Sequence, residues 1–230
     1  MSNCLFTSKF IELTDKDLAW RKKEVSDLYL LFKNNPQTAV VGKSILLLLY
    51  AHWEGYVKNI GTAYIDFLNQ LKVPAKSLTV NLQAIALQSL INKCLESKKS
   101  INPTTEFLKK KEHILAKTFK VRLPHKNQLG RSNNIIDTGH NLNVASFNKI
   151  ADIIGIPYLC TDTMQKLIDN DLLASRNAIA HGSKIEDDND IPLSLESIKT
   201  LKDEIFELLD QFKENITELA ENKGFYAESN

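Results

Sequence analysis

Residues 44–71 read SILLLLYAHWEGYVKNIGTAYIDFLNQL, and the spacing inside that run sets the architecture. Leu46, Leu49, Tyr50, Trp53, Val57, Ile60, Tyr64, Phe67 and Leu68 recur at intervals of three and four, which places them on one stripe of an α-helix. The helix is expected from about Gln37 to Leu71, with Pro74 closing it. Eight Gly and six Pro in 230 residues are too few for the frequent tight turns of a many-stranded sandwich. An all-α bundle around this long early helix is the expected fold class.

The same periodicity extends in both directions. A first helix is expected from Thr14-Asp15-Lys16-Asp17, a polar start signal, carrying Leu18, Val25, Leu28, Leu31 and Phe32 before Asn34-Asn35-Pro36. Residues 1–36 then form an N-terminal helical extension, 37–221 the main helical domain and 222–230 a tail. Further helices are expected over Leu78–Leu95, over Pro103–Phe119 with Pro in the first turn, and over Val144–Ile154 closed by Gly155. Asp162–Ala180 reads as one helix closed by Gly182, and Ser194–Glu221 as a last amphipathic one. Between Arg122 and Asn143 the pattern fails at Pro124, Gly130 and Asp137-Thr138-Gly139, so an irregular basic insertion is expected over about 120–143.

Net charge is only +1, but it is unevenly distributed. Lys109 to Arg131 holds eight Lys or Arg against one acid, and Glu186 to the end holds thirteen Asp or Glu against four Lys. The basic stretch can attract a polyanion; two solvated helix faces of opposite bias are the plainer reading. Lys120, Arg122, Lys126 and Arg131, with Lys58 on the long helix, are candidate contacts to an RNA backbone, and Phe119 and His125 are available to stack on unpaired bases. Trp20 and Tyr29 read as core anchors.

Cys4, Cys94 and Cys160 are odd in number and lack ligand spacing, as expected of incidental thiols in a reducing compartment. His113, His125 and His140 have no zinc-like companions, so neither a metal nor a cofactor is expected. The chain starts without a charged and apolar leader, and its longest uncharged apolar run is too short to cross a bilayer, which takes about twenty residues. A cytoplasmic protein with no membrane contact is expected.

Chemistry concentrates at Arg176-Asn177-Ala178-Ile179-Ala180-His181-Gly182. Arg grips phosphate through a planar fork of donors, and His is the side chain that exchanges protons near neutrality. Asn177 and His181, four apart, share a helix face, where Asn177 can orient the imidazole. Carbonyls left unpaired at the helix end favour a cation there. The plainer reading is a surface ion pair for Arg176 and a carbonyl cap for His181. Glu54 and Lys58 are also four apart and suit an intrahelical pair, and His52 is either a second imidazole or a packed histidine.

The Arg176–His181 stretch resembles the Arg-x4–6-His signature of the HEPN superfamily. Ala51-His52-Trp53-Glu54-Gly55-Tyr56-Val57-Lys58 and Asp137-Thr138-Gly139-His140-Asn141-Leu142-Asn143 are similar to its stand-alone MAE-like branch. The likeness runs from about Thr38 to Glu221. It implies a metal-independent endoribonuclease that leaves a 2′,3′-cyclic phosphate. It also implies a homodimer with two Arg–His pairs across one cleft, and a toxin or phage-defence role on tRNA or other RNA loops beside an antitoxin or defence-system partner. Arg176 would bind the phosphate, His181 act as acid and base, Asn177 fill the polar position after the Arg, and Glu54 support the site. Ser183 stands where adenylylated members carry Tyr, which argues against that control. A catalytically silent dimerising adaptor or RNA-binding module is the alternative, and a nucleotide-binding helical domain a third.

Overall fold

The computed structural model describes residues 2–34, 39–96, 102–123, 135–139, 141–182 and 193–227. Helix α1 (Ser2–Asn34) and helix α2 (Ala39–Leu71) form an antiparallel hairpin, and α8 (Leu195–Glu221) packs against both. The described residues form an all-α fold with no strands, only the isolated bridges Pro74–Thr118 and Leu78–Tyr226. No described helix is long and apolar enough to cross a membrane.

Helix α2 lies at the centre because its apolar positions cover more than one face. Ile45, Leu46, Leu49, Trp53, Tyr56, Val57, Ile60 and Tyr64 have no exposed surface. Aromatic rings bind it to the rest: Phe147 lies 4.8 Å from Trp53 and 5.6 Å from Phe212, and Tyr56 meets Phe212 edge-on at 6.2 Å. Helix α3 (Val80–Glu96) pairs with α4 (Pro103–Leu115), and α5 (Val144–Ile154) packs on α2 and α3. The helix starts are chemically marked, since Asn102, Asn143, Thr161 and Ser194 each accept a hydrogen bond from a backbone N–H of the first turn. Gly155 (φ 91°) closes α5 in the left-handed conformation that only glycine adopts without strain.

Several expectations change. Helix α1 starts at Ser2, well before Thr14, whose side chain is buried and donates to the Ile11 carbonyl inside the helix. It is a wall of the core rather than an appendage, because Phe10, Leu18, Val25 and Phe32 are buried in the common core. Residues 222–227 are also tied in: Phe225 is buried and its carbonyl accepts from Thr79 N–H at 3.0 Å. Trp20 is 47% exposed and packs its ring edge against His52, so it is no core anchor. Helix α4 ends at Leu115, and Phe119 follows it in extended chain with its ring buried, which removes it as a base-stacking surface.

Candidate active site

The path from Asp162 to Ala180 is continuous but not uniformly α-helical. Helix α6 (Asp162–Lys166) passes into a π-helical segment (Leu167–Leu173) and then into α7 (Ala174–Ala180). A π turn adds a residue and rotates the next helical turns about the axis, which is why such segments gather at functional sites. Here Asp169 on the π segment accepts from Val144 N–H at 3.0 Å, so the start of α5 is fastened just before Arg176.

Ile136, Thr138 and Leu142 meet α2 at successively earlier positions, as in an antiparallel approach. A Cβ at Gly61 would lie 3.0 Å from Ile136 Cγ2, so the missing side chain admits the buried Ile136. Two turns lower, Thr138 Oγ1 donates to Glu54 Oε1 at 2.7 Å. Lower still, the Leu142 peptide is held from both ends: its N–H donates to Tyr50 Oη at 2.7 Å, and its carbonyl accepts from Trp53 Nε1 at 3.4 Å. Burial, and then the Glu54 carboxylate beside it, push the Tyr50 phenol above the ordinary tyrosine range, so it stays neutral.

Onto this clamped segment comes Arg176. Its Nη1 donates to Asn141 Oδ1 at 3.0 Å and to Asn177 Oδ1 at 2.8 Å, and its Cζ lies 5.0 Å from the Tyr50 ring centre. Arg176 makes no ion pair among the described residues. Its charge is held by neutral oxygens and an aromatic face, neither of which cancels it. A half-buried guanidinium so held is ready for an anion.

The structure brings together three of the four catalytic candidates. Arg176 and Asn177 meet through their side chains, and Glu54 joins them through Tyr50, Thr138 and the loop. Asn177 turns its carboxamide oxygen to Arg176 rather than to the imidazole. His181 caps α7, its N–H donating to the Asn177 carbonyl at 3.0 Å, and Gly182 follows at φ 76°. Its ring is exposed and bonds to no described side chain.

The basic candidates divide. Lys58 is half-buried, one helical turn beyond Glu54, and makes no ion pair among the described residues, so the intrahelical Glu54–Lys58 pair does not form. Lys120 and Arg122 are exposed elsewhere. Val121 between them exchanges two hydrogen bonds with Asn69, placing that segment about 22 Å along α2 from Glu54 at the helical rise per residue. Lys126, Arg131, His125, His140 and Ser183 lie outside the described residues. Among the described residues, no three His, Cys, Asp or Glu side chains gather as a metal site would require.

His52 belongs to a separate cluster. Arg21 Nη1 faces its Nδ1 at 3.2 Å, its Nε2 lies 2.7 Å from Glu24 Oε2, and Asp17 holds Arg21 at 2.8 Å. Since Arg21 can only donate, Nδ1 accepts and Nε2–H donates to Glu24. That is the neutral tautomer of a packed histidine.

Sequence spacing missed Tyr50, Thr138 and Asn141. Tyr50 looks like one more core residue of the stripe, and the other two lie in an aperiodic loop. Only their place in the Asp137–Asn143 stretch singled them out.

Residues 10–225 match the model of the family described as HEPN_MAE_28990-like HEPN. No curated protein and no solved structure matches the chain.

Proposed function

The chain belongs to the HEPN_MAE_28990-like HEPN family, and on that premise we propose that it is a metal-independent endoribonuclease acting on cytoplasmic RNA, built as a homodimer whose two Arg176–His181 pairs share one cleft. The observation that carries this reading is the Arg176 guanidinium, held by Asn141, Asn177 and the Tyr50 ring with no carboxylate partner among the described residues. RNA supplies the missing anion.

In this mechanism Arg176 holds the non-bridging oxygens of the scissile phosphodiester and stabilises the charge that builds on them. One His181 imidazole takes the proton from the ribose 2′-hydroxyl. The 2′-oxygen attacks phosphorus, the bond from phosphorus to the 5′-oxygen breaks, and the imidazolium of the second protomer protonates the departing oxygen. The products carry a 2′,3′-cyclic phosphate and a 5′-hydroxyl. The exposed position of His181 suits a group that must reach a ribose outside the fold. Lys58, free of an ion pair among the described residues and one turn from Glu54, suits a neighbouring phosphate of the same strand. Lys120 and Arg122 are more distant contacts for a longer RNA such as a tRNA, and Lys126 and Arg131 are further candidates from the same basic stretch of sequence.

A toxin or phage-defence role, with a neutralising or companion protein, is the natural use of such an activity inside a cell. The test is purified protein with total RNA in EDTA. Cleavage is expected, with its loss in His181→Ala; intact RNA, or equal cleavage by the variant, overturns the mechanism.

A further inference from the structure

Arg176 is presented in one orientation. Nη1 has two protons and two acceptors, Asn141 Oδ1 at 3.0 Å and Asn177 Oδ1 at 2.8 Å. Tyr50 covers one face of the guanidinium plane. No described residue takes a hydrogen bond from Nε or Nη2. That edge carries its N–H donors in one plane, the arrangement that grips two oxygens of a phosphate at once.

The two amides differ in what they do. Asn177 is the next residue on the same helix, so it moves with Arg176 and cannot fix it against the rest of the site. Asn141 comes from the segment stapled to α2 by Thr138–Glu54 on one side and Leu142–Tyr50 on the other. Its carboxamide is therefore the hydrogen bond that, beside the Tyr50 ring, registers the guanidinium of α7 against α2. A neutral acceptor is also the chemistry required. A carboxylate at the same position would hold Nη1 as well or better, but as an ion pair it would cancel the charge the site offers.

We propose that Asn141 is a positioning residue for Arg176, a neutral acceptor that fixes the guanidinium so that its Nε–Nη2 edge is the face presented to a phosphodiester of RNA. The proposal rests on the ribonuclease reading and adds the direction of approach and the residue that sets it.

The experiment uses the full chain and a fluorescent single-stranded RNA oligonucleotide. Binding is measured in the His181→Ala background and cleavage in the parent, each with Asn141 intact, Asn141→Asp or Asn141→Ala, and thermal melting is followed for every variant. Asn141→Asp is expected to melt at or above its parent yet to bind RNA roughly ten-fold more weakly, because the guanidinium charge is compensated. Asn141→Ala is expected to lower kcat more than it raises KM, since the guanidinium is still present but no longer held. A merely structural Asn141 would make affinity follow melting temperature instead. Undiminished affinity in Asn141→Asp overturns the proposal; should that variant fail to fold, unchanged binding and kcat in Asn141→Ala overturns it. If RNA is bound, and Asn141→Asp weakens the binding, but the parent cuts nothing, the positioning role stands and the nuclease reading falls. If the parent cuts and Asn141→Asp cuts equally, the reverse holds. A protein that neither binds nor cuts the oligonucleotide ends both.

Discussion

Thr138 and Glu54, 84 residues apart in the chain, are joined by a 2.7 Å hydrogen bond from the threonine hydroxyl to Oε1 of the carboxylate. The bond makes an aperiodic loop part of the surface of α2. Thr138 is fully buried, so Thr138→Val keeps the shape and leaves the carboxylate oxygen without its donor. A loss of about 1–3 kcal/mol in unfolding free energy is expected from urea titration. An unchanged midpoint would show that the loop is held without this bond.

Tyr50 combines two roles that substitutions separate. Tyr50→Phe keeps the ring beneath Arg176 but deprives Leu142 N–H of its acceptor, and should lower stability by about 1–2 kcal/mol. Tyr50→Leu removes the ring as well and should reduce kcat/KM for RNA beyond the loss seen in Tyr50→Phe. Equal kcat/KM in the two variants would mean that the aromatic face contributes nothing to Arg176.

Gly61 and Ile136 form a steric pair. A methyl at 61 would press on Ile136 Cγ2 at 3.0 Å and on two further carbons at 3.3 Å. Gly61→Ala is expected to cost about 1–2 kcal/mol by overpacking. Trimming the partner in Gly61→Ala/Ile136→Val should recover part of that loss, a coupling that thermal denaturation of the double-mutant cycle measures. Strict additivity would place the strain elsewhere.

His52 makes stability depend on pH. Burial, with the Arg21 cation adding to it, outweighs the pull of Glu24 and lowers the His52 pKa below its ordinary value. The unfolded chain therefore binds the proton more readily than the folded one. The contribution of neutral His52 is fully present above about pH 6.5 and is lost as pH falls through that value toward the lower folded pKa, with a slope of at most about 1.4 kcal/mol per pH unit. Denaturation midpoints between pH 8 and 5 should show the decline, and His52→Gln should flatten it. An equally steep decline in the variant would assign it to other groups.

How much of this could be read from the residues depends on what encodes each element. Helices α2, α5 and α8 were legible nearly to their ends, because apolar residues at three and four give the body while Asn143, Ser194 and Gly155 mark starts and a stop. The first turns of α1 were not, since a buried Thr14 inside the helix looks like a start signal. The π segment was hidden because one added residue leaves the apolar pattern of Ile168 and Leu172 still helical. At the site, Arg176, Asn177 and Glu54 were visible as local spacings. Asn141 was not, because it meets Arg176 across 35 residues and no periodic signal records a contact of that kind.

The ends of RNA cut in EDTA test the proposed chemistry most directly. Wild-type protein should leave a 2′,3′-cyclic phosphate and a 5′-hydroxyl, a 2′-deoxy substitution at the cut site should block the reaction, and Arg176→Ala and His181→Ala should each slow it by roughly a hundredfold or more. Ends bearing 3′-hydroxyl and 5′-phosphate, or cutting that survives in His181→Ala, would contradict it.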